Sequence, residues 1–227
     1  MHRLSRTRVR MALAAAGAGA AVALATAAGA PAEHRHAHAS ATPTAATSAK
    51  AARLHDNMRK LWEDHITWTR LAIVSFAGGL PDLPATEARL LENQSDIAAA
   101  IRPYYGTAAS NQLRGLLRQH ILGAVALLQA AKAGDSAALA KAHDAWYVNG
   151  QQIADFLAKA NPRNWSRGEM RSMMKAHLDE TLKEGVDRLN GRFTADVADY
   201  EAIHKTILEM ADMLSDGIVA QFPSRFR

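Results

Sequence analysis

From Lys50 to the C-terminus, large apolar side chains return at every third or fourth position. That is the spacing of one buried face of an α-helix. The pattern predicts six helices, at about 50–76, 85–102, 108–132, 136–159, 167–189 and 194–219. Their ends have chemical causes. Thr107 is placed to cap the third helix, Gly134 to end it and Asp135 to cap the fourth. Ser166 with Glu169 is a capping box for the fifth, and Gly191 with Thr194 separates the fifth from the sixth. The run Gly78-Gly79-Leu80-Pro81-Asp82-Leu83-Pro84 breaks the first from the second. No stretch alternates as a strand does, so the fold class is all-α.

The helical pattern repeats. Leu116-Leu117-Arg118-Gln119-His120-Ile121 aligns with Met173-Met174-Lys175-Ala176-His177-Leu178, 57 positions later. Moving back 55 positions, Leu61-Trp62-Glu63-Asp64-His65-Ile66 falls in the same frame. Asn93 and Ile97 lie 56 positions before Asn149 and Ile153, and Ile153 lies 57 before Met210. Prolines 103, 162 and 223 close the units. The expected architecture is a bundle of three tandem antiparallel helical hairpins, with an internal repeat of about 55–60 residues. A lone amphipathic hairpin leaves apolar surface uncovered, so the three must pack together.

Residues 1–32 read differently. Four arginines (Arg3, Arg6, Arg8 and Arg10) precede an uncharged run rich in Ala, Gly, Val and Leu, and Ala30-Pro31-Ala32 offers a cleavage site. This is the order of a secretory signal peptide; an uncleaved membrane anchor is the other reading. Residues 33–49 form a His-containing linker too poor in large apolar groups to fold, with His34, His36 and His38 alternating along it. Residues 50–227 are the bundle. The net charge of +5 comes mostly from the leader's four arginines, which leaves the remainder near neutral. No basic face for nucleic acid is evident. Cysteine is absent, which excludes disulfides, thiolate metal sites and cysteine nucleophiles.

His65, His120 and His177 occupy the same apolar place in the first helix of each predicted hairpin. In the third helix His120 continues the stripe of Leu113, Leu117, Ala124 and Ala131; in the fifth, His177 continues that of Met170, Met174 and Thr181. All three imidazoles should point inward, and a buried imidazole needs partners. Equal distances from the turns set His65 opposite Asn93, His120 opposite Asn149 or Tyr147, and His177 opposite His204. The preferred reading is one register-fixing pair per hairpin: His65–Asn93, His120–Asn149 and His177–His204. The competing reading is a metal site built from His177, His204, His65 and His120. Met173, Met174, Met210 and Met213 share a hairpin with His177 and His204, and imidazole with thioether suits copper. No cofactor is assigned; copper or zinc is the ion such side chains would take. No catalytic residue is assigned either. Glu63-Asp64 and Asp179-Glu180, beside the histidines, read as solvated faces, and Asp155 and Asp212 as partners of lysine or arginine. Tyr104-Tyr105-Gly106 and Asn161–Trp165 read as loops that line one end of the bundle. There is no Walker loop, dinucleotide fingerprint, serine elbow or His-Glu-x-x-His.

The runs Leu61–Arg70, Arg89–Gln94, Pro103-Tyr104-Tyr105-Gly106 and Gly217–Pro223 resemble a family of small uncharacterised bacterial helical proteins, over nearly the whole chain after the linker. Members are inconsistently named, sometimes as glycosyltransferase, and the resemblance implies no established activity. No Asp-x-Asp pair or alternating strand–helix pattern supports that name here. The functional expectation is an exported, non-enzymatic helical binding or cell-envelope protein, extracytoplasmic, without nucleic-acid partners. Its ligand would be a metal ion or small molecule held at buried histidines. The alternative is an enzyme with a buried His-centred or His–metal site.

Overall fold

A computed structural model describes residues 48–227. The expected leader, and the expected linker up to residue 47, lie outside the described residues. Five α-helices and one short 3-10 turn make up the rest: α1 (Ala49–Gly78), α2 (Leu83–Ala133), α3 (Ser136–Ala160), α4 (Arg167–Leu189), α5 (Phe193–Gln221) and the turn Pro223–Phe226. Among the described residues there is no strand, and no helix is long and apolar enough to cross a membrane.

The helix ends follow local chemistry. Ser48 caps α1 by accepting from the Ala51 amide, Asp135 caps α3 through Ala138, and Ser166 caps α4 through Glu169. Each satisfies a backbone donor that the helix itself leaves unpaired. Gly79 and Gly134 end α1 and α2 with φ of +64° and +70°, a backbone region open mainly to glycine.

The expected second and third helices are joined. Instead of a loop after Arg102, a 51-residue α2 runs on to Ala133 and is interrupted only at Gly106, whose φ of +82° and ψ of 172° are not helical. Five helices therefore stand where six were expected, and Thr107 caps nothing. The cause is that Pro103 deletes one hydrogen-bond donor without ending the helix, so Tyr104 and Tyr105 stay helical and a single glycine redirects the chain.

The helices close into a ring. α1 packs on α2, α2 on α3, α3 on α4, α4 on α5, and α5 returns to α1; α4 also touches α1 and α2. The core holds Met58, Trp62, Ile97, Leu117, Ile153, Leu178, Ile207 and Ile218, all 4% exposed or less. Each such side chain contributes about 1.5–3 kcal/mol by leaving water. At one end Tyr104 stacks on Phe226, Tyr105 lies against Trp165 and Phe222, and the Tyr105 hydroxyl donates to Gln221. The segment around Asn161 donates to Gly217 O from the same end. Packed aromatic rings thus fill that end. Close by, Lys50 Nζ donates to Arg227 O at 2.9 Å.

Candidate functional site

The side chains nearest the middle of the ring are histidines. His65 comes from α1, His120 from α2 and His177 from α4, and they are 2%, 4% and 6% exposed. Their ring centroids are 6.5 Å apart for His65–His120, 5.8 Å for His65–His177 and 6.0 Å for His120–His177. Each rides on the apolar stripe of its helix, so packing the stripes together brings the rings together. Trp146 from α3 stacks on His120 at 5.2 Å and donates its indole N–H to His120 O. Trp62 meets His65 edge-on at 5.6 Å.

Burial decides the charge. Desolvation holds all three imidazoles well below their ordinary pKa of 6.5, His120 at about 3 and His177 at about 4. The neighbouring rings push His65 and His120 further down, because two imidazolium charges so close would repel. The amides of Asn93 and Asn149 pull weakly the other way, on His65 and His120 respectively. At neutral pH the cluster is therefore uncharged, each ring offering one donor and one acceptor nitrogen.

Several of these polar atoms lack partners. Gln94 Nε2 is 3.2 Å from His65 Nδ1, but Nδ1 of His120 and of His177 are buried without a hydrogen bond, as are Asn149 Oδ1 and Thr181 Oγ1. The Asn93 and Asn149 amides donate instead to the carbonyls of Leu61 and Leu116. They tie the paired helices together beside the histidines.

Above the rings lies a mostly enclosed cavity with room of about 50 Å³ for a water-sized guest. Its floor is His65, His120, His177, Thr69, Thr181 and Trp146; its walls include Ile73, Phe76, Leu90, Leu127, Leu128 and Leu182. Glu87 is the one carboxylate among the lining residues. The ring spacing discriminates between occupants. Three imidazoles on one tetrahedral ion, with bonds of about 2.0–2.1 Å, hold their centroids about 5 Å apart. Three imidazoles hydrogen-bonded to one small group at about 2.9 Å hold them about 6–7 Å apart. The observed separations exceed the first case and lie at the lower edge of the second. Consistently, no three His, Asp or Glu side chains among the described residues stand at metal-ligating spacing.

His204 is not with the other histidines. Its Nε2 lies 2.9 Å from Glu63 Oε1 on the exposed surface and its ring stacks on Tyr200, so no His177–His204 pair forms. The acids beside the histidines are paired at the surface: Asp64 with Lys60, Asp179 with Lys175 and the Tyr147 hydroxyl, and Glu180 with Thr206. None reaches the cavity. Asp155 is held by Arg167 and Arg171, and Asp212 by His55 and Arg59. Sequence reasoning placed Thr181 on the stripe of His177 without giving it a role and did not single out Gln94 or Glu87, whose helical spacing from Leu90 was the only signal. Nor did it find a buried charge cluster in which Arg70 of α1 pairs with Glu184 of α4 and Asp196 of α5, at 2.6 and 2.9 Å.

Fold and site together define an all-α bundle with a histidine-floored internal cavity. No family model, curated protein or solved structure matches the chain.

Proposed function

We propose that this chain is an exported, non-enzymatic binding protein. Its ligand is a small uncharged molecule with an apolar body and one hydrogen-bonding head. The observation that carries this reading is the convergence of three neutral imidazoles on the floor of an apolar cavity. The head group would answer the unpaired ring nitrogens, and the body would cover Ile73, Leu127 and Leu182. Neutral rings suit a neutral head, since an anion would find no compensating charge there. For a general acid–base mechanism the cavity offers only the Glu87 carboxylate beside the neutral imidazoles. The basic leader supports export, with release or retention at the envelope as the two ends, and the near-neutral remainder supports partners other than nucleic acid.

The reading includes three copies of one hairpin folded around a common axis. Two features support it: the 55- and 57-residue offsets between the histidines, and the break at Gly106, which divides α2 where the repeat divides.

The test uses methanol and ethanol as hydroxylated probes, with xenon as the control lacking a head, all small enough for the space available. Binding is followed through Trp146 fluorescence and the imidazole resonances of the three histidines. Ethanol should shift all three rings, and His120→Leu should weaken it at least tenfold while xenon is unaffected. Equal binding of ethanol to the wild type and the variant would overturn the proposal. A transition-metal ion at the same three rings is the second reading, favoured by the amides behind His65 and His120, which resemble the outer-shell partners of ligating histidines. It requires the rings to close by about 1 Å. Cobalt(II) titration, giving tetrahedral absorption bands, would select it.

A further inference from the structure

His177 lines two spaces. One is the internal cavity; the other is an open groove of about 340 Å³ between α4 and α5. The groove is lined by Glu169, Met173, His177, Thr206, Met210 and Met213, among others. On α4 the first three recur at four-residue spacing, and on α5 the last two are three apart, so each set occupies one helix face. Five of the chain's eight methionines are on these two helices, and in a chain without cysteine thioethers are the only sulfur.

What separates His177 from its two counterparts is its missing polar neighbour. His120 has Asn149 beside it and His65 has Asn93. At 57 positions beyond Asn149 stands Thr206, whose hydroxyl is already engaged with Glu180 and the backbone carbonyls of Ala202 and Ile203. His177 Nδ1, like His120 Nδ1, is buried with no hydrogen-bond partner. A groove that presents one imidazole and three thioethers is poorly suited to water and to hard cations. It is well suited to a soft monovalent metal, since thioether and imidazole ligands select copper(I).

We propose that the α4–α5 groove is a copper(I) site, with the His177 imidazole and the sulfurs of Met173, Met210 and Met213 as its ligand set. Glu169 and Glu209, exposed at the groove, supply negative charge that draws a cation in. Binding at one ring nitrogen places the proton on the other, so the ion would also set the tautomer of His177. The site does not depend on the cavity binding a small molecule.

The experiment supplies copper(I) anaerobically to the full chain, buffered by the chromophoric chelator bicinchoninate, and records X-ray absorption at the copper edge. The three linker histidines are changed in the background (His34→Ala, His36→Ala, His38→Ala) so that they do not compete. One equivalent of copper(I) should leave the chelator, with sulfur and nitrogen scatterers around it. Replacing Met173, Met210 and Met213 together by leucine, which nearly conserves volume, should lower affinity at least tenfold. Circular dichroism checks that the variant folds, and the wild-type absorption spectrum is informative even if it does not. No copper(I) withdrawn from the chelator, undiminished affinity in the leucine variant, or a shell of nitrogen and oxygen alone would each overturn the site. The last outcome would move the ion to the three-histidine floor.

Discussion

Between pH 6.5 and about 4, an unfolded chain takes up protons on His65, His120 and His177 that the folded chain refuses. Their folded pKa values lie below the unfolded one, so stability is complete above pH 6.5 and is lost as pH falls toward the folded values. By pH 4.5 the three groups together remove a large share of a typical total stability. Glu184 acts with the opposite sign. Burial outweighs the pull of Arg70 and lifts its carboxyl from 4.5 to about 7. Its contribution is therefore present below pH 4.5 and is lost as pH rises through 7. One proton opposes three, so the melting temperature should fall from pH 7 to pH 4.5. In a His65→Leu, His120→Leu, His177→Leu variant that loss should vanish, leaving a shallow slope of reverse sign from Glu184. Calorimetry across this range checks it, and a steep acid loss surviving in the variant would refute the buried, uncharged state of the rings. Gly217 gives a steric counterpart. A Cβ there would overlap the Trp165 indole ring, so Gly217→Ala should cost about 1–3 kcal/mol in urea unfolding.

At the scale of the helix, Gly106 is the informative position. Its conformation is open essentially to glycine alone, and no neighbouring atom would touch an added Cβ. Gly106→Ala should therefore destabilise by about 1–3 kcal/mol through the backbone only, a fall in melting temperature of several degrees. An unchanged melting temperature would mean that α2 does not bend there. Loss of the cap in Asp135→Ala should cost about 1 kcal/mol. The caps at Asp135 and Ser166 were legible in the sequence because capping depends on three or four consecutive residues. The sequence ends the second helix before Pro103 because a proline near the end of a pattern looks like a stop, whereas only one hydrogen bond is lost and the helix runs on to the break at Gly106. The inward faces of His65, His120 and His177 were legible as members of apolar stripes. The partner of His177 was not. Counting from Gly191 pointed to His204, but each residue turns a helix by about 100°, so an error of one or two residues exchanges an inward side chain for an outward one. Thr206 lines the groove with His177, and His204 is at the surface with Glu63.

Across the whole molecule, one polar cluster joins helices that are distant in sequence. Arg70 reaches Glu184 and Asp196, Arg188 adds a second contact to Asp196, and Lys183 bridges Asp187 and Asp199. In the sequence these residues are indistinguishable from a solvated face; in the fold the carboxylates of Glu184, Asp187, Asp196 and Asp199 are buried while Lys183 stays exposed. Arg70→Met would strand the Glu184 carboxylate and leave Asp196 with Arg188 alone, and should cost about 3–5 kcal/mol, more at pH 8 than at pH 5, where Glu184 takes a proton. Equal stability of the variant at both values would show the carboxylates to be paired otherwise. Finally, α5 returns to α1, and Lys50 meets Arg227. Chain order is thus incidental to which helices touch. A circular permutant opened between Gly134 and Asp135, with residues 227 and 48 bridged by a short glycine-rich tether, would retain every neighbour relation, and should fold and melt near the parent.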